Sequence, residues 1–230
     1  MKLKKLLSAI KHKLITRDKA LETSTLCGLT LKTVPGTLRK NTDQDDAWFF
    51  ELCKHHHIIF DIGCNVGYTA LLAAIQNPNC HLVLVDPNPK ALNQAQLNLI
   101  YNNLGFRAQY FCGFVSDKQD ETIKFYTLGS GAAGSMYSSH AETAAVVNAF
   151  SYVKTVTLDY LHEFYRLLPD LVKIDVEGAE TLVMKGASYM AKKSQCSFFV
   201  EMHNVENLGM KEAGQLMLNW CKSNDYKAWY

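Results

Sequence analysis

The chain has 230 residues, 48% of them apolar and 20% charged, with a net charge of +2. That composition suits one α/β domain or two small ones around a sizeable core, and it excludes a disordered or fibrous chain. Charge is uneven, +6 over residues 1–19 and −4 over the rest, so the broad basic face of a nucleic-acid binder is not expected.

The seven cysteines are odd in number, widely spaced and without a CxxC pair. Neither a zinc ribbon nor a disulfide framework follows, and a reducing, cytoplasmic setting is expected. Leu3, Leu6, Leu7, Ile10 and Leu14 recur at helical spacing between lysines. They predict an amphipathic helix that rests weakly on an anionic membrane surface or a partner, or packs on its own domain. Lys11 and Lys13 break its apolar stretches, which leaves no signal-peptide core, and no run approaches the length of a membrane span.

Residues 22–47, with a Gly and a Pro-Gly pair, read as loop or weak strand. Asp43 to Asp46 offer caps for a helix over Ala47–Lys54. The chain therefore divides into a lead-in, 1–54, and a main domain, 55–230. His55, His56 and His57 would alternate along a strand and cannot converge on one ion.

From Ile58 onward, strands and helices alternate. Strands are expected at 58–62, 81–86, 109–115, 171–176 and 197–202, with helices at 67–76, 90–103, 179–191 and 210–222. Further strands are expected at 124–128 and 152–158, around an insert of small residues from Gly129 to Phe150. Such a segment suits a mobile loop near a site, or a plain surface loop. The alternation implies a doubly wound, mostly parallel sheet whose ligand crevice lies at the strand C-terminal ends.

Asp61, Gly63, Asn65, Gly67 and Tyr68 form an acid-and-glycine turn after the first strong strand, and Asp86-Pro87-Asn88-Pro89 ends the second. The glycine spacing is not GxGxxG, and no Lys-Ser/Thr follows to cradle phosphate. An acid at the second strand end is placed to bond ribose hydroxyls. The pair of motifs thus points to an adenosine ligand without phosphates at this turn, S-adenosylmethionine. Asp61 would serve the cofactor's ammonium or order the loop, Asn65 the methionine part or a left-handed turn, and Tyr68 the core or a pocket wall. Ser116 and Asp117 stand where a side chain could reach the adenine amino group, or where Asp117 simply forms a turn.

Asp175 and Glu177 flank the end of the fourth core strand, with Glu180 one turn into the next helix and Lys173 two residues before. Carboxylates so close repel unless a cation is near, and the cofactor's sulfonium and ammonium (bound by Asp175), a metal ion or Lys173 could each supply it. Glu180 alone could be a helix-terminus charge favoured by the macrodipole. Glu201 and His203 close the fifth strand. His203 is a candidate general base because its ordinary pKa lies near neutrality, with Glu201, Asp175 or Glu177 as orienter or alternative base. A divalent metal on Asp175, Glu177, Glu201 and His203 is an alternative use of the same groups, not the favoured one.

The chain resembles the FkbM-type methyltransferases, within the class I S-adenosylmethionine-dependent methyltransferases. The resemblance is carried by Phe60–Tyr68, Asp86–Pro89, Thr157–Asp159, Leu171–Glu180, Lys185–Ala187 and Val200–His203. Cys64 stands where an alanine is usual. The resemblance implies a Rossmann-like fold and methyl transfer from S-adenosylmethionine to a hydroxyl of a sugar, polysaccharide or secondary metabolite. The expected partner is accordingly a small-molecule or glycan acceptor, without nucleic acid. The family sheet usually ends with a reversed strand, and only Tyr226–Tyr230 remain after the last helix, so either the sheet is one strand short or the chain is a truncated one. The rival readings are a nicotinamide oxidoreductase, which would need GxGxxG, and a non-catalytic nucleoside-binding regulator.

Overall fold

A computed structural model of the protein describes residues 21–39, 41, 43–128, 134–204 and 208–229. The expected amphipathic segment 1–19 lies outside them, as do residues 129–133 of the insert.

Five apolar runs form the central sheet: β3 (Ile58–Ile62), β4 (His81–Asp86), β5 (Ala108–Cys112), β9 (Leu171–Ile174) and β10 (Ser197–Val200). Their order is β10-β9-β3-β4-β5, and every neighbouring pair is parallel. The fold is thus the α/β, doubly wound class. Its register positions the site: Ile62 pairs with both Val85 and Ile174, and Ile174 with Val200. Gly63, Asp86, Asp175 and Glu201, each one residue further on, therefore stand in a row along the C-terminal edge. The chain runs outward from β3 through β4 and β5, then returns to β9 on the other side of β3. The crevice of such a sheet opens where that direction reverses.

Helices cover both faces. One core lies between the sheet and α1 (Gln44–Cys53), α2 (Tyr68–Gln76) and α3 (Pro89–Tyr101), with Phe49, Leu71, Leu82, Leu84 and Leu99 fully buried. The other lies under α5 (Leu158–Tyr165), α6 (Glu180–Lys185), α7 (Ser188–Ser194) and α8 (Met210–Ser223), around Phe60, Ile62, Leu158, Leu161 and Ile174. The acid cluster before α1 works as expected: Asp43 and Asp46 form a reciprocal capping box.

The structure sharpens the sequence expectations at one place and departs from them at three. Residues 22–33 form a hairpin of β1 (Glu22–Leu26) and β2 (Leu29–Thr33), turning through Cys27 and Gly28 with positive φ of 49° and 78°. The strand expected at 152–158 is β8 (Phe150–Val156). It stops where Thr157 accepts from Tyr160 N and starts α5, a helix that periodicity did not reveal. The helix expected over 179–191 is two, α6 and α7. At the break Gly186 packs on the Ser116 carbonyl, where a Cβ would collide, and Asp159 accepts from Tyr189 N and Met190 N at the start of α7. The strand expected at 109–115 is interrupted at Gly113. Its tail, β6 (Phe114–Val115), joins a small second sheet with β8 and β7 (Thr122–Tyr126).

Among the described residues no strand follows α8. Tyr226 instead packs edge-on against Phe198, with Trp220 alongside, and donates to Ala191 O.

Candidate active site

A cleft of about 210 Å³ opens along the C-terminal edge of β3, β4 and β9. Gly63 can lie on its floor because a Cβ there would run into the Asp175 carbonyl oxygen, and its φ of +80° suits only glycine readily. Gly67 (φ +82°) opens α2 as its N-cap, close against Ala95 of α3. Asn65 takes the left-handed conformation expected of it, φ 46°.

Each acid at this end accepts at least one hydrogen bond. Asp86 is buried and accepts from Asn65 N (2.9 Å) and Asn88 N (2.7 Å). Burial lifts its pKa to about 6 against the pull of those two bonds. Asn88 also caps α3 by accepting from Lys90 N. Asp61 accepts from Thr69 Oγ1 at 2.7 Å and orders the turn rather than capping it. Its other oxygen has no hydrogen bond and lies 3.9 Å from the Lys173 ammonium, which is itself 3.2 Å from Asp175. Burial works against that ammonium, yet Asp175 and Asp61 hold its pKa above the ordinary lysine value.

Some lining residues lie far in sequence from the strand-end motifs. Gly36, Thr37 and Arg39, from the lead-in, reach the cleft. Arg39 lies 5.1 Å from the Tyr68 ring centroid and bridges to Asp46, whose carboxylate also accepts from Tyr68 Oη. Tyr68 thus belongs to the buried core and also lines the cleft, held there by the lead-in. The segment is tied down through Asn98, which accepts from Val34 N and donates to Thr37 Oγ1 and Val66 O. No periodicity signals such a contact across more than sixty residues.

Ser116 and Asp117 are not brought to the cleft. Val115 lines it, but Asp117 accepts from Lys185 Nζ (3.1 Å) and Ser116 donates to Asp117. Asp117 faces Lys185 instead of the cleft lining.

At the β9 and β10 ends the acids crowd together instead. Glu177 adopts a left-handed φ of 53°, and its carbonyl accepts from Ser135 Oγ at 2.7 Å. His203 is held through Nδ1 by Glu180 (2.9 Å), a carboxylate that is almost fully buried and also accepts from Gly178 N. His203 Nε2 faces Glu177 at 3.6 Å and Glu201 at 3.7 Å. His140, from the insert, lies 3.9 Å from Glu177 through Nδ1, with its ring edge-on to His203. The insert therefore does border the site. Its small residues were the signal, but the chain distance concealed its target.

The Glu180 hydrogen bond, with Glu177 and Asp175 nearby, lifts the His203 pKa to about 9 despite partial burial. In this arrangement it is an imidazolium at neutral pH. The premise that His203 titrates near neutrality, and so serves as the base, is corrected by that carboxylate environment. Burial raises the Glu177 and Glu201 carboxyls above their usual range.

A parallel sheet in this order, with glycine turn, strand-end acid and cleft at its reversal point, defines the class I methyltransferase arrangement. Residues 61–228 match the methyltransferase FkbM domain family, and the chain belongs to it. It is 22% identical to the ribosomal RNA large subunit methyltransferase G of Yersinia enterocolitica, over 68% of this chain and 43% of that protein. The chain thus spans less than half the length of that curated relative. Among solved structures it is similar to an FkbM methyltransferase from Methylobacillus flagellatus KT (12% identity, 74% of this chain and 38% of that one, TM-score 0.49). A putative caffeoyl-CoA O-methyltransferase from Staphylococcus aureus is similar at 11% identity, 95% and 88% coverage and TM-score 0.49.

The family implies S-adenosylmethionine, and the residues present fit it. The glycine floor admits a ligand close to backbone, and Asp86 projects a carboxylate from the β4 end. Asn65 Oδ1 is a buried acceptor without a partner, on the lining of the cleft.

Proposed function

We propose that the protein is an S-adenosylmethionine-dependent O-methyltransferase acting on a hydroxyl of a sugar, polysaccharide or secondary metabolite. The observation that carries this reading is the meeting, along one sheet edge, of a glycine-floored cleft and a surplus of carboxylates. When bound, the cofactor supplies a methyl group made electrophilic by its sulfonium. Asp86 holds the ribose hydroxyls, Asn65 Oδ1 accepts from the methionine ammonium, and Tyr68 walls the pocket. Gly63 and Gly67 allow the close backbone approach. Asp61 acts one step removed, through Thr69 and Lys173, by ordering the turn.

Methyl transfer is an in-line displacement, so the protein's main work is alignment of acceptor oxygen and methyl. A hydroxyl must also lose its proton as the new C–O bond forms. Glu201 receives it, being the more exposed of the raised carboxylates (40% against 26% for Glu177) and so able to pass it to solvent. Asp175, Glu177 and the His203 imidazolium hold the acceptor side. A cluster this rich in carboxylates disfavours a polyanionic acceptor, which supports a neutral small molecule or glycan over nucleic acid. We place the reaction in the cytoplasm, with residues 1–19 as a weak membrane-surface contact. Among the described residues no helix is long and apolar enough to cross a membrane.

Calorimetry with S-adenosylmethionine and with NAD tests the cofactor, and binding of NAD alone would sink this reading. Cofactor turnover with a hydroxyl-rich acceptor pool, beside an RNA pool, tests the rest. Turnover on RNA alone would replace the acceptor class, and turnover on neither would favour a non-catalytic regulator.

A further inference from the structure

We infer that Asp175, Glu177 and His203 Nε2 form a binding site for one first-row divalent cation, set beside the position of methyl transfer. Its place beside the methyl group rests on the function proposed above; the binding itself does not.

Ligand atoms of these three residues lie within 4.8 Å of one another. The 3.6 Å between His203 Nε2 and Glu177 Oε2 is too long for a hydrogen bond. It matches the separation of two ligands that each stand about 2.1 Å from a shared ion. The imidazole is also oriented as a metal ligand is, and the cation would take the place of the Nε2 proton that the imidazolium carries in its absence. Its Nδ1 is occupied by the buried Glu180, itself pinned by Gly178 N at 3.0 Å, which turns Nε2 toward the carboxylates. A carboxylate behind a histidine in this way fixes which nitrogen meets the metal.

Charge points the same way. Lys173 is engaged by Asp175 and Asp61, so Glu177, Glu180 and Glu201 are left with His203 and, on Glu177 alone, the more distant His140. A mixed set of imidazole and carboxylate suits Mn²⁺, Fe²⁺, Co²⁺ or Zn²⁺ better than Ca²⁺, which takes oxygen ligands. Three protein ligands leave positions open for the acceptor hydroxyl. There the cation would lower the hydroxyl's pKa as its O–H bond breaks, the proton passing to Glu201 and the C–S bond giving way to C–O.

The test is calorimetry of chelator-treated, full-length protein with Mn²⁺ and with Co²⁺, plus the Co²⁺ absorption spectrum. One cation per chain is expected, with a Co²⁺ spectrum of mixed nitrogen and oxygen ligation. His203→Ala and Glu177→Gln should each weaken binding at least 10-fold. Glu180→Gln, which only orients the imidazole, should weaken it about 10-fold. Glu163→Gln, on the exposed face of α5, should leave it unchanged. S-adenosylmethionine binding without any Mn²⁺ or Co²⁺ binding up to millimolar concentration would overturn the site. So would cation binding that folded His203→Ala and Glu177→Gln both leave intact. Cation binding without cofactor binding would support the site and instead overturn the methyltransferase reading.

Discussion

The two ends of the cleft solve opposite problems. Around β3 and β4 the acids are partnered: Asp86 takes two backbone amides and Asp61 a threonine hydroxyl. Around β9 and β10, Glu177 and Glu201 stand beyond hydrogen-bond range of the imidazoles they face. A partnered carboxylate fixes geometry, whereas an under-partnered one retains the capacity to take a proton or a cation. On the function proposed above, the first end holds a ligand and the second acts on one.

That contrast can be attacked from either end. The largest effect expected is at the acting end: Glu201→Gln should lower kcat by roughly 10²–10⁴ while cofactor affinity stays within about 3-fold. Equal losses in affinity and kcat would erase the division of labour. Gly63→Ala attacks the junction of the two ends, since its Cβ meets Asp175 backbone. It should cost about 3 kcal/mol or more in denaturant unfolding and abolish cofactor binding. Asp86→Ala should weaken S-adenosylmethionine about 10–100-fold by calorimetry, the value of hydrogen bonds to a charged group.

A fourth test uses pH. The folded pKa of His203, about 9, exceeds its ordinary 6.5. Its stabilisation is therefore complete below about pH 6.5 and is lost as pH rises through 9. About 2 kcal/mol is expected after allowance for partial solvent screening. Wild type should exceed His203→Gln in unfolding free energy at pH 6, and the gap should close by pH 9.5. A constant gap would show that the imidazole carries no such charge. The smallest effect is at Asp117→Asn, whose partner Lys185 is exposed. Stability should change by less than about 0.5 kcal/mol and cofactor affinity not at all.

Sequence made legible what depends on local pattern. The apolar runs of β3, β4 and β9, the glycine turn, and the acids at each strand end are all written in neighbouring residues. What escaped depends on contacts between distant ones. Arg39 reaches the cleft because Asn98 anchors residues 34–37. His140 approaches Glu177 because Ser135 bonds its carbonyl. The protonation of His203 hung on Glu180, one helical turn beyond the strand end and recognisable beforehand only as a helix-terminus charge. Even α5 went unread, because its single start signal, Thr157, continues a β-branched strand.

Asn98 has a further consequence for where this chain can be divided. The sequence suggests a seam near residue 54, and the family match begins at 61. Yet the amide of Asn98, wholly buried on α3, spends its bonds on the lead-in and on Val66 of the cofactor turn at once. Severed at 54, the chain would keep every family motif but lose one wall of its cleft. It would also strand a buried amide beneath the turn that the motifs define. The evolutionary unit and the mechanical unit of this protein do not share a border.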